Sequence, residues 1–331
     1  MNEPPFRSQC PFPGIPILDS RWGGVPRVTP GSRLRYTAPL EMPSKRRKFR
    51  LRLRSGTLVL GERTLVMGVL NVPPDSFSDG GKFSSVENAV EGALGIERAG
   101  ADILDIGAES TRPGSSGICA AEELARLLPV LEALRGRLEI PISVDTQKST
   151  VAEIALGAGA EILNDVSGLQ NGPAVAEVAT RHRVPLILVH MRGTPRTMQK
   201  LPFPKEVLRD VTSGLRQSIA IARRAGLSKS QIILDPGIGF GKSFAQNYEL
   251  LTKLPALADL GYPLLVGTSR KGFLGATLAK DGKPAPPDER LCGTAATVTA
   301  SILGGAHIVR VHDVPEMVQV ARVADALLSA R

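Results

Sequence analysis

From residue 64 onward, the chain repeats one hydrophobic pattern: a short apolar run, a polar break, and then an amphipathic stretch. The apolar runs lie at residues 64–71, 103–107, 142–145, 162–165, 186–190, 232–235, 264–268 and 308–312. Continuous apolar strands separated by helical segments are typical of parallel strands covered on both faces. The pattern therefore predicts eight strands, each followed by a helix.

The intervening segments predict the helices. They lie at 86–99, 122–134, 150–158, 173–181, 206–225, 247–260 and 291–303, and an eighth follows the last strand at 314–328. Eight such units match the (β/α)8 barrel, which typically has about 250 residues. An open, doubly wound sheet is the alternative. We predict an α/β fold, a TIM barrel over residues 47–331.

The net charge of +9 is concentrated at the N-terminus. Residues 1–54 contain 12 Lys and Arg against 3 Asp and Glu, whereas the remaining 277 residues contain 29 of each sign. The first part is rich in Pro, Gly and Arg and has no periodicity, so we predict a disordered basic arm over residues 1–46. There are three alternative interpretations of this arm. It is a transit peptide, or the start of the chain is assigned too far upstream and Met42 is the true start, or the arm binds RNA or an anionic surface.

The end of this basic region has a different pattern. "FRLRLR" alternates with period two, which predicts an edge strand pairing with "GTLVLG". Elsewhere, no apolar stretch approaches the roughly 20 residues of a bilayer span, and no signal-peptide core is found. The cysteines Cys10, Cys119 and Cys292 match no metal spacing and indicate free thiols. We expect a cytoplasmic protein with neither membrane nor nucleic-acid partners.

Polar residues close five of the eight predicted strands. They are Asn71, Asp145, Asn164, Asp235 and His312. One such residue alone is more often a helix cap. Barrel enzymes, however, build their sites at the carboxyl ends of the strands. Five polar ends at equivalent positions therefore predict a ring of donors and acceptors around one mouth of the barrel.

The segment "DPGIGFGKS" resembles two phosphate-binding loops and satisfies neither pattern. A P-loop requires glycine where Pro236 stands, and a dinucleotide fingerprint requires glycine where Lys242 stands. We interpret the glycines as allowing a close approach to a flat ligand that Asp235 faces. An ionised Asp only accepts hydrogen bonds. It therefore suits a ring with adjacent N–H donors, such as a 2-amino-4-oxo heterocycle.

Cationic residues cluster in the loops that follow several strands. "GTSRKGF" follows the seventh strand and "RVH" ends the eighth, and these are the loops with which barrels frequently bind phosphate. "ESTRPG" after the second strand adds Thr111 and Arg112. Lys271, Arg310 and His312 are further cations in these loops. Together, the cations at this rim of the barrel predict an anionic substrate.

The motifs "NVPPDSFSDGG", "DIGAESTRPG", "SVDT", "NDVSG", "HMRGTP", "DPGIGFGK", "SRKGF" and "RVHD" occur in this order from about Phe49 to the C-terminus. This set resembles that of the bacterial dihydropteroate synthase family. The resemblance implies a barrel, usually dimeric, that acts in folate biosynthesis. It also implies that p-aminobenzoate is joined to 6-hydroxymethyl-7,8-dihydropterin diphosphate with Mg2+, releasing diphosphate.

The resemblance also implies roles for individual residues. Asn71 would ligate Mg2+, and the expected catalytic residues are Asp145, Lys271 and Arg310. The expected pterin-binding residues are Asp145, Asn164, Asp235 and Lys271. The expected diphosphate-binding residues are Thr111, Arg112, Arg310 and His312. Ser269, Phe77 and Pro113 would frame p-aminobenzoate, and Phe240 is a further expected substrate contact.

The loop over residues 71–81 would close over the second substrate and exclude water. Departure of diphosphate leaves positive charge on the pterin methylene, which the Asp145 carboxylate would stabilise. The chain departs from the family pattern at Pro73, usually Thr, and at Val189, often Met. We expect Pro73 to alter loop closure and Val189 to loosen the packing on the pterin.

Two further functions compete with this interpretation. A pterin-binding methyltransferase domain would share the barrel and the polar strand ends but would not need the diphosphate motifs. A binding-only paralogue should have lost some of the chemical residues, and all are present. Of the remaining candidates, we expect His190 to be structural rather than a metal ligand, and Asp105 to point into the barrel in a structural role.

Overall fold

A computed structural model describes residues 46–72, 82–110, 114–115, 117–201 and 203–330 of the protein. These residues form two β-sheets. The smaller sheet is an antiparallel hairpin of β1 (Phe49–Arg52) and β2 (Thr57–Leu60). The larger sheet has eight parallel strands: β3 (Leu65–Asn71), β4 (Ile103–Gly107), β5 (Ile142–Asp145), β6 (Ile162–Asp165), β7 (Leu186–Val189), β8 (Ile232–Asp235), β9 (Leu265–Val266) and β10 (Ile308–Val311).

The eight parallel strands form a barrel. Their order is β8-β7-β6-β5-β4-β3-β10-β9, and a parallel bridge between Leu234 and Leu264 joins the two ends of this order. The predicted TIM barrel is therefore confirmed, and the open doubly wound sheet is wrong. The predicted strands agree with the observed ones to within 2 residues at either end.

Helices surround the barrel. They are α1 (Lys82–Arg98), α2 (Ala120–Leu134), α3 (Ser149–Gly157), α4 (Ala174–His182), α5 (Val207–Arg224), α6 (Phe244–Thr252), α7 (Leu254–Ala258), α8 (Gly272–Thr277), α9 (Leu291–Leu303) and α10 (Val314–Ser329). The single helix predicted over 247–260 is divided at Lys253, because Pro255 lacks the N–H that a continuous helix needs. The sequence also missed α8, since "GFLGAT" is too short to show a periodicity.

Alternation along the strands separates an apolar core inside the barrel from two apolar clusters outside it. Leu65, Met67 and Ile103 belong to the cluster inside the barrel. Leu104 and Ile106 alternate with the inward residues of β4 and point outward, where they pack in one of the two clusters between the sheet and the helices. Because side chains alternate between the two faces of a strand, the polar residues that share the inward positions are directed into the barrel.

The hairpin lies at the N-terminal ends of the barrel strands. Leu51, Leu53 and Leu60 are buried and join the interior cluster. Phe49 packs edge-on against His307, which directly precedes β10. The predicted pairing of "FRLRLR" with "GTLVLG" is therefore confirmed, and its alternation buries the leucines while the intervening arginines stay exposed.

The predicted disordered arm lies outside the described residues, except for Arg46. This residue donates to the Thr64 hydroxyl (2.7 Å) and to the Ala306 carbonyl (3.0 Å), and it pairs with Asp325. Cys119 and Cys292 are free thiols, as predicted, and Cys10 lies in the part that is not described. Within the described residues, no helix combines the length and apolar character that a bilayer span requires.

Candidate active site

The strand register brings several of the polar strand ends to one level of the barrel. Asn71 pairs with Gly107, Gly107 with Asp145, and Asp145 with Asn164. These residues share the inward face, since partners in a parallel ladder point to the same side. The predicted grouping of Asn71, Asp145 and Asn164 at one mouth is what the structure shows.

Arg310 connects two of the carboxylates in this mouth. Its Nε and Nη2 both lie 2.7 Å from Asp105 Oδ2, and Nη2 lies 3.4 Å from Asp145 Oδ2. Asn164 Nδ2 donates to the same Asp105 oxygen at 3.2 Å. Because Asp105 is fully buried, its charge needs a partner nearby, and Arg310 supplies it.

Asp105 is the residue that the sequence placed correctly but did not recognise as part of the site. Its inward position followed from alternation, yet its partner Arg310 is 205 residues away in the chain. Asp145 lies beside this pair. Burial raises the pKa of Asp145 to about 7, although the Arg310 guanidinium acts in the opposite direction. The raised pKa brings the titration of this carboxyl close to neutrality.

Lys271, Phe240 and Asp235 form the other side of the mouth. Lys271 Nζ lies 4.1 Å from the centroid of the Phe240 ring, a cation–π distance. Burial lowers the pKa of Lys271 to about 8, opposed by the nearby Asp235 carboxylate. A Cβ on Gly239 would lie only 3.1 Å from Lys271 Cδ, so glycine at this positive-φ position allows the lysine stem to pack against the loop.

Asp235 is buried at the end of β8, and its Oδ1 accepts a hydrogen bond of 2.7 Å from the Gly237 amide. Burial raises its pKa from the ordinary value, opposed first by this hydrogen bond and then by Lys271. Asp235 therefore faces the same compartment as Lys271, as the sequence predicted. Val189, one of the family departures, is buried beneath this side of the site in the interior cluster.

Ser269 and His312 are neighbours in the loops after β9 and β10. The Ser269 hydroxyl accepts from the His312 amide (3.1 Å) and lies 3.0 Å from its Nδ1. The expectation that His312 provides a cation is not met here. Burial, reinforced by Arg310, lowers the pKa of His312 to about 4, so the imidazole is neutral at pH 7. It can donate a hydrogen bond without adding charge.

His190 has structural partners. Its Nδ1 lies 3.1 Å from Lys242 Nζ, and its Nε2 lies 3.6 Å from the Asp210 carboxylate. This agrees with the structural role expected for His190. The buried Lys242 beside it is a second residue whose position the sequence did not reveal, because its neighbours come from separate loops.

Several expected site residues lie outside the described residues: Phe77, Thr111, Arg112 and Pro113, together with the departure at Pro73. Asn71 is described, and it is exposed at the end of β3. Among the described residues, no cluster of three or more His, Cys, Asp or Glu could hold a metal ion. A metal at Asn71 would therefore need most of its ligands from water or from a bound substrate.

Taken together, the mouth presents buried hydrogen-bond acceptors beside cationic side chains. Among the described residues, Asp105 Oδ1 and Asn164 Oδ1 are buried and accept no hydrogen bond. Buried polar atoms normally find partners, so these oxygens suit a ligand that brings its own N–H donors. Lys271 and Arg310 suit the anionic part of such a ligand.

Comparison with known proteins agrees with this geometry. A family model described as pterin binding enzyme matches residues 67–312. A dihydropteroate synthase from Synechocystis sp. is 49% identical over 267 residues, which cover 81% of this chain and 91% of that relative.

Solved structures give the same result. Dihydropteroate synthase from Xanthomonas albilineans with 4-aminobenzoic acid is 40% identical, with a TM-score of 0.76 over 85% of this chain and 98% of that one. The same enzyme in complex with 7,8-dihydropteroate is 39% identical, with a TM-score of 0.71 over 81% of this chain and 95% of that one. The chain therefore belongs to the pterin-binding enzymes and, among them, to the dihydropteroate synthase family.

Proposed function

We propose that the protein is a transferase that condenses p-aminobenzoate with 6-hydroxymethyl-7,8-dihydropterin diphosphate, giving 7,8-dihydropteroate and diphosphate. The reaction belongs to tetrahydrofolate biosynthesis. The proposal depends on one observation in this member of the family. In the buried mouth of its barrel, unpaired acceptor oxygens of Asp105 and Asn164 lie beside Arg310 and the carboxyl of Asp145.

The pterin ring matches the buried part of this mouth. Its 2-amino group and ring N–H are donors, and Asn164 Oδ1, Asp145 and Asp235 supply acceptors on the surrounding strands. Lys271 supplies a donor for the ring's acceptor atoms, and the Phe240 ring at 4.1 Å from its Nζ adds a flat apolar surface. Satisfying buried acceptors that otherwise remain unpaired favours this ring over one without donors.

The diphosphate belongs at the rim. Arg310 is a cation at neutral pH, Lys271 with a pKa of about 8 is mostly protonated there, and His312 can donate from its neutral ring. Arg310 is already shared between Asp105 and Asp145, so it holds the anion with only part of its donors. We assign Thr111 and Arg112 of the loop after β4 to the same group from the sequence pattern.

In the reaction, the bond between the pterin methylene and the diphosphate oxygen breaks, and the arylamine nitrogen of p-aminobenzoate bonds to the methylene. Diphosphate leaves with the bonding electrons, and the amine loses a proton. Positive charge on the methylene and pterin is greatest while the carbon–oxygen bond is breaking. The Asp145 carboxylate, fixed beside Arg310, stabilises that charge without having to reorganise.

The second substrate lies above the pterin. The Ser269 hydroxyl is held by the His312 amide and ring, and we assign it to p-aminobenzoate from the sequence pattern. Phe77 and Pro113 are assigned to the same substrate from the sequence. Residues 73–81 of the next loop lie outside the described part of the chain, and we assign to the loop over residues 71–81, from the sequence alone, the exclusion of water from the electrophilic methylene.

Mg2+ is a further part of the proposal. Mg2+ commonly uses one or two protein oxygens, together with waters and substrate phosphates. The exposed Asn71 side chain, at the same level of the barrel as Asp145, fits that requirement through its amide oxygen. When bound, Mg2+ would neutralise charge on the departing diphosphate.

The test is direct. The protein is incubated with the pterin diphosphate, p-aminobenzoate and Mg2+, and both 7,8-dihydropteroate and diphosphate are quantified by chromatography. Equimolar formation of the two products is the expected result. Binding of the pterin without any product would indicate a binding-only protein, and transfer of a methyl group would indicate the alternative enzyme class.

We also propose a homodimer in the cytoplasm, as the resemblance implied. Sedimentation velocity of the purified chain would show a single species of twice the 35.1 kDa chain mass. A monomer at the concentrations used for the assay would contradict the dimer.

A further inference from the structure

Lys242 is fully buried and takes no part in the proposed chemistry. It is among the largest of the fully buried side chains in the described part of the chain, with 1% of its surface exposed. Its ammonium donates to the carbonyls of Gly237 (2.8 Å), Phe240 (3.0 Å) and His190 (3.2 Å). Lysine is rarely buried without a partner, so this arrangement calls for an explanation.

The surroundings of Lys242 favour an ammonium group. Its fourth neighbour is His190 Nδ1 at 3.1 Å, in a ring that burial keeps neutral by lowering its pKa to about 2. The other ring nitrogen, Nε2, faces the Asp210 carboxylate at 3.6 Å, which favours the tautomer with the proton on Nε2 and leaves Nδ1 as the acceptor. Burial lowers the pKa of Lys242 to about 7. An ammonium has three N–H donors, whereas a free amine has two and an unused lone pair. Neighbours that all accept therefore oppose loss of the proton.

Glycine makes this arrangement possible at the loop's first turn. Gly237 has a positive φ of +66°, and a Cβ there would lie 1.9 Å from the His190 carbonyl oxygen. The loop is thereby packed directly onto the segment after β7. The glycine-rich motif thus holds its own lysine, whereas in a P-loop the lysine reaches a phosphate.

The residues fixed by Lys242 are those that build one side of the mouth. The Gly237 amide donates to Asp235 (2.7 Å), and the Phe240 amide donates to the Gly237 carbonyl (3.0 Å). The Phe240 ring in turn lies against Lys271. A single buried ammonium therefore connects the backbone that carries Asp235 and Phe240 to the neighbouring strand end at His190.

We propose that Lys242 is a positioning residue for pterin recognition, acting by holding the Gly237–Phe240 turn in the geometry that Asp235, Phe240 and Lys271 need. The inference rests on the proposed function and adds a residue that does not itself touch the substrate. Binding sites require such support, because a displacement of about 1 Å can cost about 100-fold in rate.

The experiment compares Lys242→Met with Lys253→Met. Lys253 is exposed at the end of α6 and pairs with Glu249, so it controls for the loss of a lysine. Binding of 6-hydroxymethylpterin, which cannot react, is measured by calorimetry, and KM for p-aminobenzoate is measured at saturating pterin diphosphate. For Lys242→Met we expect pterin binding weakened by about 10- to 100-fold and an unchanged KM for p-aminobenzoate. Lys253→Met should resemble the wild type.

The outcomes separate the two proposals. If the wild-type chain does not bind the pterin, the proposed function fails, and the positioning role fails with it. Normal pterin binding by a folded Lys242→Met variant would overturn the positioning role alone. Equal losses toward both substrates would also overturn it, since they would indicate general destabilisation.

Should Lys242→Met fail to fold, His190→Leu provides the second test. It removes one acceptor of the ammonium and keeps the lysine. Weaker pterin binding with a normal KM for p-aminobenzoate supports the positioning role. Unchanged pterin binding would contradict it.

Discussion

The two ends of the barrel are built from the same strands in opposite ways. At the N-terminal end, the β1–β2 hairpin buries Leu51, Leu53 and Leu60 against an apolar interior. At the C-terminal end, the inward positions hold charged groups, with Arg310 between Asp105 and Asp145. Alternation directs both sets inward, so the difference lies in the chemistry of the residues and not in the backbone.

The difference separates stability from function. Burying apolar surface contributes about 25 cal/mol per Å2, so the closed end favours folding directly. Buried charges cost free energy unless they are paired. The charged residues at the open end must therefore be paired with one another. A polar layer of this kind is typical of the functional face of a barrel. Changes at the two ends should therefore have different consequences.

Asp145→Asn should have the largest effect on activity. Asn is nearly isosteric but lacks the negative charge that stabilises the departing cation, so kcat should fall by about 10²–10³ while pterin affinity changes less. Steady-state kinetics and thermal melts on one preparation test this. Near-normal turnover would mean that Asp145 only orients the pterin. A loss of stability above about 2 kcal/mol would indicate a structural role instead.

Arg310→Ala and Lys271→Ala should each weaken binding of the pterin diphosphate by about 10- to 100-fold, since a hydrogen bond to a charged group contributes about 1.5–3 kcal/mol. They should differ in stability. Arg310→Ala leaves Asp105 buried without its cationic partner, which costs about 3–5 kcal/mol, whereas Lys271→Ala leaves that pair intact.

The double variant Asp105→Asn/Arg310→Met sharpens this comparison. It removes both charges, so stability should recover while diphosphate binding stays weak. Unchanged affinity in both single variants, measured by titration, would contradict the assignment of Arg310 and Lys271 to the diphosphate.

The pH dependence should reflect the two sides of the mouth. The mechanism needs Asp145 as a carboxylate with a pKa of about 7, so kcat/KM falls as the pH decreases through that value. It needs Lys271 as an ammonium with a pKa of about 8, so kcat/KM falls as the pH increases through that value. We expect a bell-shaped profile with about tenfold loss per unit outside this window. In Asp145→Asn the acid limb should disappear; its persistence would assign that limb to another group.

Leu60→Ala should affect the closed end alone. Leu60 is fully buried, and truncating a buried leucine costs about 2–5 kcal/mol. Denaturant unfolding should show that loss, with kcat and KM unchanged at temperatures where the variant is folded. The exposed Arg52→Ala is the matched control from the same hairpin and should unfold like the wild type. A changed KM in folded Leu60→Ala would show that the two ends are coupled.

Deletion of residues 1–41 should have the smallest effect. The compact unit that contains the barrel begins at Met42, and the deleted part lacks a core pattern. We expect the melting temperature and turnover of the truncated chain to equal those of the full chain. A large decrease in either would show that the arm contributes to the barrel.

The sequence predicted the fold well because the barrel strands are short apolar runs and the first strand of the hairpin alternates strictly. It was less successful where local pattern is weak: α8 has no periodicity, and the break before α7 depends on one proline. For the site, Asp145 and Asn164 followed from their positions at strand ends. For Asp105, the sequence predicted only that the side chain points into the barrel. Its role in the site depends on a partner from another strand, Arg310.

The amino-acid sequence by itself determined the order of strands and helices, the inward direction of the polar residues, and the family to which the motifs belong. Those properties are local, since they depend on periodicity and on residue identity at fixed spacings. Only the tertiary structure decided that Arg310 lies between Asp105 and Asp145, that His312 is neutral, and that Lys242 is held by the carbonyls of two loops. Hydrogen-bond partners and pKa values depend on burial and on neighbours far apart in the chain, and folding alone brings these together.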